Sequence, residues 1–158
     1  MKKLLTLLLF IPLVSFGQKD IQNRIVLIKQ MYKETNRLLE KENVICKKIE
    51  IEKFNDYDDI FVEYCDLNNG YSKITIEIYG PSLYDSYDYY FRYNNLYFSY
   101  IKISAEIYGI YKYRQYFNSN GELIRNLEDD GSGNKNINSA ANLDMLHFAQ
   151  DILLNDKN

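Results

Sequence analysis

The chain of 158 residues has no tryptophan, one histidine, two prolines and two cysteines. A single histidine, His147, rules out a His-rich zinc site. No G-x-S-x-G elbow and no phosphate-cradling glycine loop is present. Cys46 and Cys65 are too few for a disulfide scaffold, and their spacing is not that of a C-x-x-C redox pair. An excess of positive charge is also missing. The net charge is −3 at pH 7, which argues against a nucleic-acid partner held by phosphate neutralisation. The chain has one long apolar run, Leu4 to Val14, well short of the roughly 20 residues a spanning helix needs.

That run has its own meaning. Met1-Lys2-Lys3 is a basic start, and Ser15-Phe16-Gly17 places small residues at −3 and −1 before Gln18. This is the plan of a cleaved secretory signal peptide over 1–17. It leaves 18–158 as a single domain that is secreted or periplasmic, with no membrane span in the mature chain. Loss of Lys2 and Lys3 makes the mature domain still more acidic.

What the chain has in quantity is tyrosine and phenylalanine, 16 and 8 residues. Asp20 to about Glu42 reads as an amphipathic helix capped by Asp20. Ile21, Ile25, Ile28, Tyr32 and Leu39 form its stripe, flanked by Leu27, Met31 and Leu38. From Val44 to Leu127 the pattern alternates with period two between turn signals, the mark of antiparallel strands. A turn at Asn55-Asp56 pairs Ile51 with Ile60, Ile49 with Val62, Lys48 with Glu63 and Cys46 with Cys65. One register thus satisfies apolar, charged and cysteine pairs together, and it predicts a cross-strand disulfide; the alternative is two free thiols on adjacent strands. The Asn68-Asn69-Gly70 loop sets Tyr64, Val62 and Ile60 against Ile74, Ile76 and Ile78. Gly80-Pro81 ends that strand, and 80–86 reads as a loop.

The stretch YDSYDYYFRYNNLYFSY (84–100) reads as two strands around an Asn94-Asn95 turn. That turn pairs Tyr93 with Leu96, Phe91 with Phe98 and Tyr89 with Tyr100, leaving Tyr90, Arg92 and Tyr97 on the other face. A weak repeat follows, YFRYNNLY echoed by YFNSNGELI. Its second copy pairs Phe117 with Leu123 and Tyr113 with Leu127, with Lys112, Arg114 and Tyr116 opposite. Residues 128–138 read as a polar loop. A last helix opens at Asn138 or Ser139, with Met145, Phe148, Ala149 and Ile152 inward. The fold class is α+β: an N-terminal helix packed on an antiparallel meander of about seven strands, then a C-terminal helix.

Catalytic patterns are weak. His147 with Asp144 and Asp151 one turn away could form an oriented base, but it fits a surface histidine better. Asp56, Asp58, Asp59, Glu63 and Asp66 form one acidic cluster and Glu128-Asp129-Asp130-Gly131 a second. Counted from Asn126, the twelfth position that a calcium loop fills with Glu is Ile137, so both clusters read as solvated turns. No cofactor or metal is implied. The candidate binding residues are Tyr90, Arg92, Tyr97, Arg114 and Tyr116, since rings beside guanidinium groups suit a glycan or an envelope protein. The alternatives are an ordinary solvent face, or a face covered by the C-terminal helix.

The SFGQ signal ending and the pair YYFRYNNLYF and RQYFNSNGELIR resemble a group of exported proteins of the Bacteroidota with no assigned activity. The order helix, meander, helix is similar to cystatin-like α+β layouts. Neither resemblance implies a functional residue. The expected function is a non-enzymatic binding or protein-interaction domain. The alternative is a small carboxylate-dependent hydrolase of envelope or polysaccharide substrates.

Overall fold

A computed structural model of the chain describes residues 2–41, 44–51, 59–81, 83–105, 109–129 and 143–155. Helix α1 spans Lys2–Leu39. Seven strands follow: β1 (Cys46–Ile51), β2 (Asp59–Asp66), β3 (Tyr71–Gly80), β4 (Leu83–Arg92), β5 (Asn95–Ala105), β6 (Gly109–Phe117) and β7 (Leu123–Asp129). Helix α2, Leu143–Asn155, ends the described chain. The strands form one antiparallel sheet whose spatial order is the chain order, β1 to β7. This is the expected α+β meander between two helices. The Asn55-Asp56 turn and most of the polar loop after Glu128 lie outside the described residues.

The first two hairpins adopt the expected registers. Cys46 pairs with Cys65, Lys48 with Glu63, Ile49 with Val62 and Ile51 with Ile60. Tyr64, Val62 and Ile60 then pair with Ile74, Ile76 and Ile78. The cysteine sulfurs are 2.05 Å apart, and Lys48 Nζ lies 2.9 Å from Glu63. In the loop between β2 and β3, Asn69 and Gly70 both take left-handed φ, 64° and 72°.

Local expectations change first around β4 and β5. Strand β4 begins at Leu83, which pairs with Gly80 across β3–β4; 83–86 is strand rather than loop. The next turn is Tyr93-Asn94, with φ of 50° and 63°, and it pairs Arg92 with Asn95. This is the primed turn that suits strand twist. The Tyr93 N–H donates to the Gly70 carbonyl at 2.7 Å, tying the two neighbouring loops together. Finally, Phe91 pairs with Leu96 but Tyr90 pairs with Phe98, so Tyr97 is the extra residue of a β-bulge. Beyond it the strand is turned over relative to the expected register. Phe98 and Tyr100 join Tyr90's face, and Ser99 and Ile101 join Tyr89's.

The echoed hairpin carries the same device. Phe117 pairs with Leu123 as expected, but Tyr116 pairs with Arg125, which leaves Ile124 as the extra residue. Tyr113 therefore meets Glu128, and Leu127 lies opposite Arg114. The YF…L repeat is thus a bulged hairpin used twice.

Two cores result, one on each face. Ile60, Val62, Ile74, Ile76, Tyr87, Tyr89, Phe91, Ile101 and Tyr113 pack with Leu146 and Ala149 of α2. Small Ala149 lets that helix approach the aliphatic face closely. On the other face Ile25, Ile28, Met31 and Leu38 of α1 pack on Cys65, Leu67, Tyr71, Tyr90, Tyr97, Phe98 and Tyr116. The mixed face is therefore covered by the N-terminal helix, and the C-terminal helix takes the aliphatic face. Helix α1 also starts well before Asp20, which is exposed within it rather than capping it. Its buried stripe runs through Ile25, Ile28, Met31, Thr35 and Leu38, while Ile21, Val26 and Leu27 are exposed.

Candidate functional site: a cationic groove beside α1

The five residues singled out from the sequence separate into three environments. Tyr90, Tyr97 and Tyr116 are only 3%, 2% and 4% exposed. They are core beneath α1, which corrects the picture of an open tyrosine face: their rings supply the apolar area on which the helix rests. Tyr90 meets Tyr32 edge to face at 5.1 Å between ring centres. The Thr35 hydroxyl donates to the Met31 carbonyl at 3.0 Å and accepts from the Tyr97 hydroxyl at 2.7 Å, so a polar atom is buried at little cost. Burial raises the Tyr90 and Tyr97 phenols well above their ordinary range, so both stay neutral hydrogen-bonding groups.

Arg92 is half-buried at the primed turn. Its guanidinium stacks over Tyr71 at 5.2 Å and over Tyr93 at 5.5 Å. Its charge is thus absorbed by rings in the fold. Arg114 alone among the five is exposed, and it stands at the mouth of a groove between α1 and strands β5 to β7.

That groove has a volume of about 590 Å³, within the usual span for small-ligand sites. Ile28, Tyr32, Phe98, Tyr100 and Tyr116 form its base and Leu127 its far side, while Lys29, Lys33 and Arg114 rim it. The geometry follows from local rules. Lys29 and Lys33 sit one helical turn apart beside the buried stripe, so both project along one edge of α1. Arg114 shares its sheet face with Tyr100, its partner across β5–β6. The bulge at Tyr97 is what brings Phe98 and Tyr100 onto this face. Lys29, Lys33 and Tyr100 were not singled out from the sequence, although an i, i+4 lysine pair beside an apolar stripe is a readable signal for the first two.

The other chemistry-bearing groups are dispersed. His147, Asp144 and Asp151 of α2 are all exposed. Glu63 is paired with Lys48. Asp88 takes Lys73 at 2.7 Å and the Thr75 hydroxyl at 2.9 Å. The Tyr84 hydroxyl donates to Glu77 at 2.8 Å, and burial together with this carboxylate pushes the Tyr84 phenol up to about 12. Asp56, Asp58, Asp130 and Gly131 lie outside the described residues. A second cavity, about 790 Å³, opens between the end of α2 and strands β1 to β4, with Asp66 and Asp151 among its lining. Among the described residues no helix is long and apolar enough to cross a membrane. No protein-family model, curated protein or solved structure matches the chain.

Proposed function

We propose that the chain is an exported binding domain, secreted or periplasmic and non-enzymatic, whose ligand or protein partner seats in the groove beside α1. The observation that carries this reading is the rim. Lys29, Lys33 and Arg114 surround an aromatic base, and among the described residues none of them is paired with a carboxylate. Cations held without counter-charge beside rings are the arrangement that anchors a contact. Export rests on the basic start, the short apolar run and the Ser15-Phe16-Gly17 ending; N-terminal sequencing of the recovered protein should read from Gln18. The binding test is capture of envelope extract on the immobilised chain, comparing wild type with Lys33→Ala/Arg114→Ala. The variant should lose most of what wild type retains. Equal retention overturns the assignment of the groove.

The second cavity favours a subordinate reading, a carboxylate-dependent hydrolase using Asp66 and Asp151. Both carboxylates are exposed to solvent, not enclosed in a water-excluding cleft. A screen of polysaccharide substrates with Asp66→Asn as control decides it: hydrolysis abolished by that change would place the hydrolase first.

A further inference from the structure

Cations gather on one side of a molecule that is acidic overall. Lys29 and Lys33 have Cβ atoms about 6 Å apart on α1. Across the groove the β5–β6 register sets Tyr116 beside Phe98, Arg114 beside Tyr100, and Lys112 beside Lys102. Residues two apart on a strand share a face and lie about 7 Å from one another. The groove therefore continues as a track along β6, with a cation at each step after Tyr116.

The last step is unfavourable by itself. Like charges directly opposite each other repel, and Lys102 and Lys112 are both half-buried. Lys102 Nζ rests over the Tyr84 ring at 5.0 Å, which offsets only part of this. Among the described residues none of Lys29, Lys33, Lys102, Lys112 and Arg114 has a carboxylate partner. The register brings two acids to the border of this track: Asp88, opposite Tyr100 on β4 and already held by Lys73, and Asp129, opposite Lys112 on β7. On the same face Lys48 is matched by Glu63 and Lys73 by Asp88. A track of unmatched charge beside matched pairs points to a ligand that carries repeated anions.

The rings narrow the class. Phe98 meets Tyr32 at 5.1 Å and Tyr116 at 5.2 Å, with interplanar angles of 69° and 57°. Phe98, met edge-on by Tyr32 and at a tilt by Tyr116, offers no open ring face to a nucleobase, which stacks on one. The hydroxyls of Tyr100 and Tyr116 have no hydrogen-bond partner among the described residues. They can serve a ligand rich in hydroxyl groups.

Resting on the reading of the groove as a binding site, we infer that the track from Lys29 and Lys33 past Arg114 to Lys102 and Lys112 binds an acidic polysaccharide, a sugar chain bearing carboxylate or sulfate groups at intervals. The anions pair with the cations and the sugar hydroxyls with the tyrosines.

The test is native affinity electrophoresis of the full chain through gels containing polygalacturonate, heparin, dextran or single-stranded poly-dT. Retardation by polygalacturonate, by heparin or by both is expected, weakening as salt rises; the two polymers tell a carboxylate-bearing chain from a sulfated one. Lys112→Ala/Arg114→Ala and, independently, Lys29→Ala/Lys33→Ala should each weaken binding about tenfold or more. Lys41→Ala, away from the track, should change nothing, and matching thermal melts exclude misfolding. Equal binding of dextran that Tyr100→Ala abolishes would overturn the acidic class while the groove stands. Preferential binding of poly-dT would overturn the glycan. No retardation by any polymer, or retardation indifferent to every track variant, would overturn both the ligand class and the groove.

Discussion

Gly70 shows how much one side chain's absence can hold in place. Its φ is +72°, and a Cβ built there would overlap the Tyr93 ring. Tyr93 itself bends to a left-handed φ at the neighbouring turn and is 67% exposed. Two strained positions thus support each other: the glycine gives the ring a place to lie, and the ring covers the glycine. Gly70→Ala should cost about 2 kcal/mol, from the left-handed backbone and the displaced ring, read as a lower urea midpoint. Pairing it with Tyr93→Ala should recover the overlap but not the backbone share. Arg92 belongs to the same knot through its stacking on Tyr71 and Tyr93, so Arg92→Ala is expected to weaken folding and leave groove binding unchanged.

At the scale of elements, the early hairpins were legible because several pairs vote together. Ile51 with Ile60, Lys48 with Glu63 and Cys46 with Cys65 agree on a single register, and no slip satisfies all three. The later hairpins were legible only up to their bulges. Alternation carries no mark of an inserted residue when Leu96, Tyr97 and Phe98 are all apolar, since each can face inward on one side or the other. With both faces buried, the rule of one wet and one dry face no longer chooses. The groove was missed for the same reason, as Tyr100 changes face at Tyr97. Arg114 was found because β6 keeps the facing read from its alternation, with Arg114 and Tyr116 on one side. The disulfide joins β1, an edge strand, to β2 over a separation of 19 residues. Its loss by Cys46→Ser/Cys65→Ser should cost about 3 kcal/mol in the chain-entropy model, seen as a fall of about 10 °C in Tm.

The whole molecule depends on buried phenols, and this gives it an alkaline limit. Burial pushes Tyr87 up to about 12, with nearby Asp85 adding to the effect. Tyr89, Tyr90 and Tyr97 are raised further still, chiefly by burial. An unfolded chain would release these protons near 10. The folded form holds more protons above that point, so stability is full below about pH 10 and is lost as pH rises through 12. Thermal melts at pH 8 and pH 11, with tyrosinate absorbance followed at equilibrium, should show a lower Tm at the higher pH and ionisation that coincides with unfolding. A Tm that holds at pH 11 while the phenols ionise would contradict this.

Strict sequential pairing also has a consequence for how such a chain can change length. Among the described residues no strand is threaded between two others, so a hairpin can be added or removed beyond β7 without any earlier strand seeking a new neighbour. The hairpins starting at Tyr90-Phe91 and Tyr116-Phe117 each place their extra residue directly after the leucine opposite the phenylalanine, as two castings of one part would. In a sheet of this kind length is a matter of repetition, and each added unit would extend the same two faces.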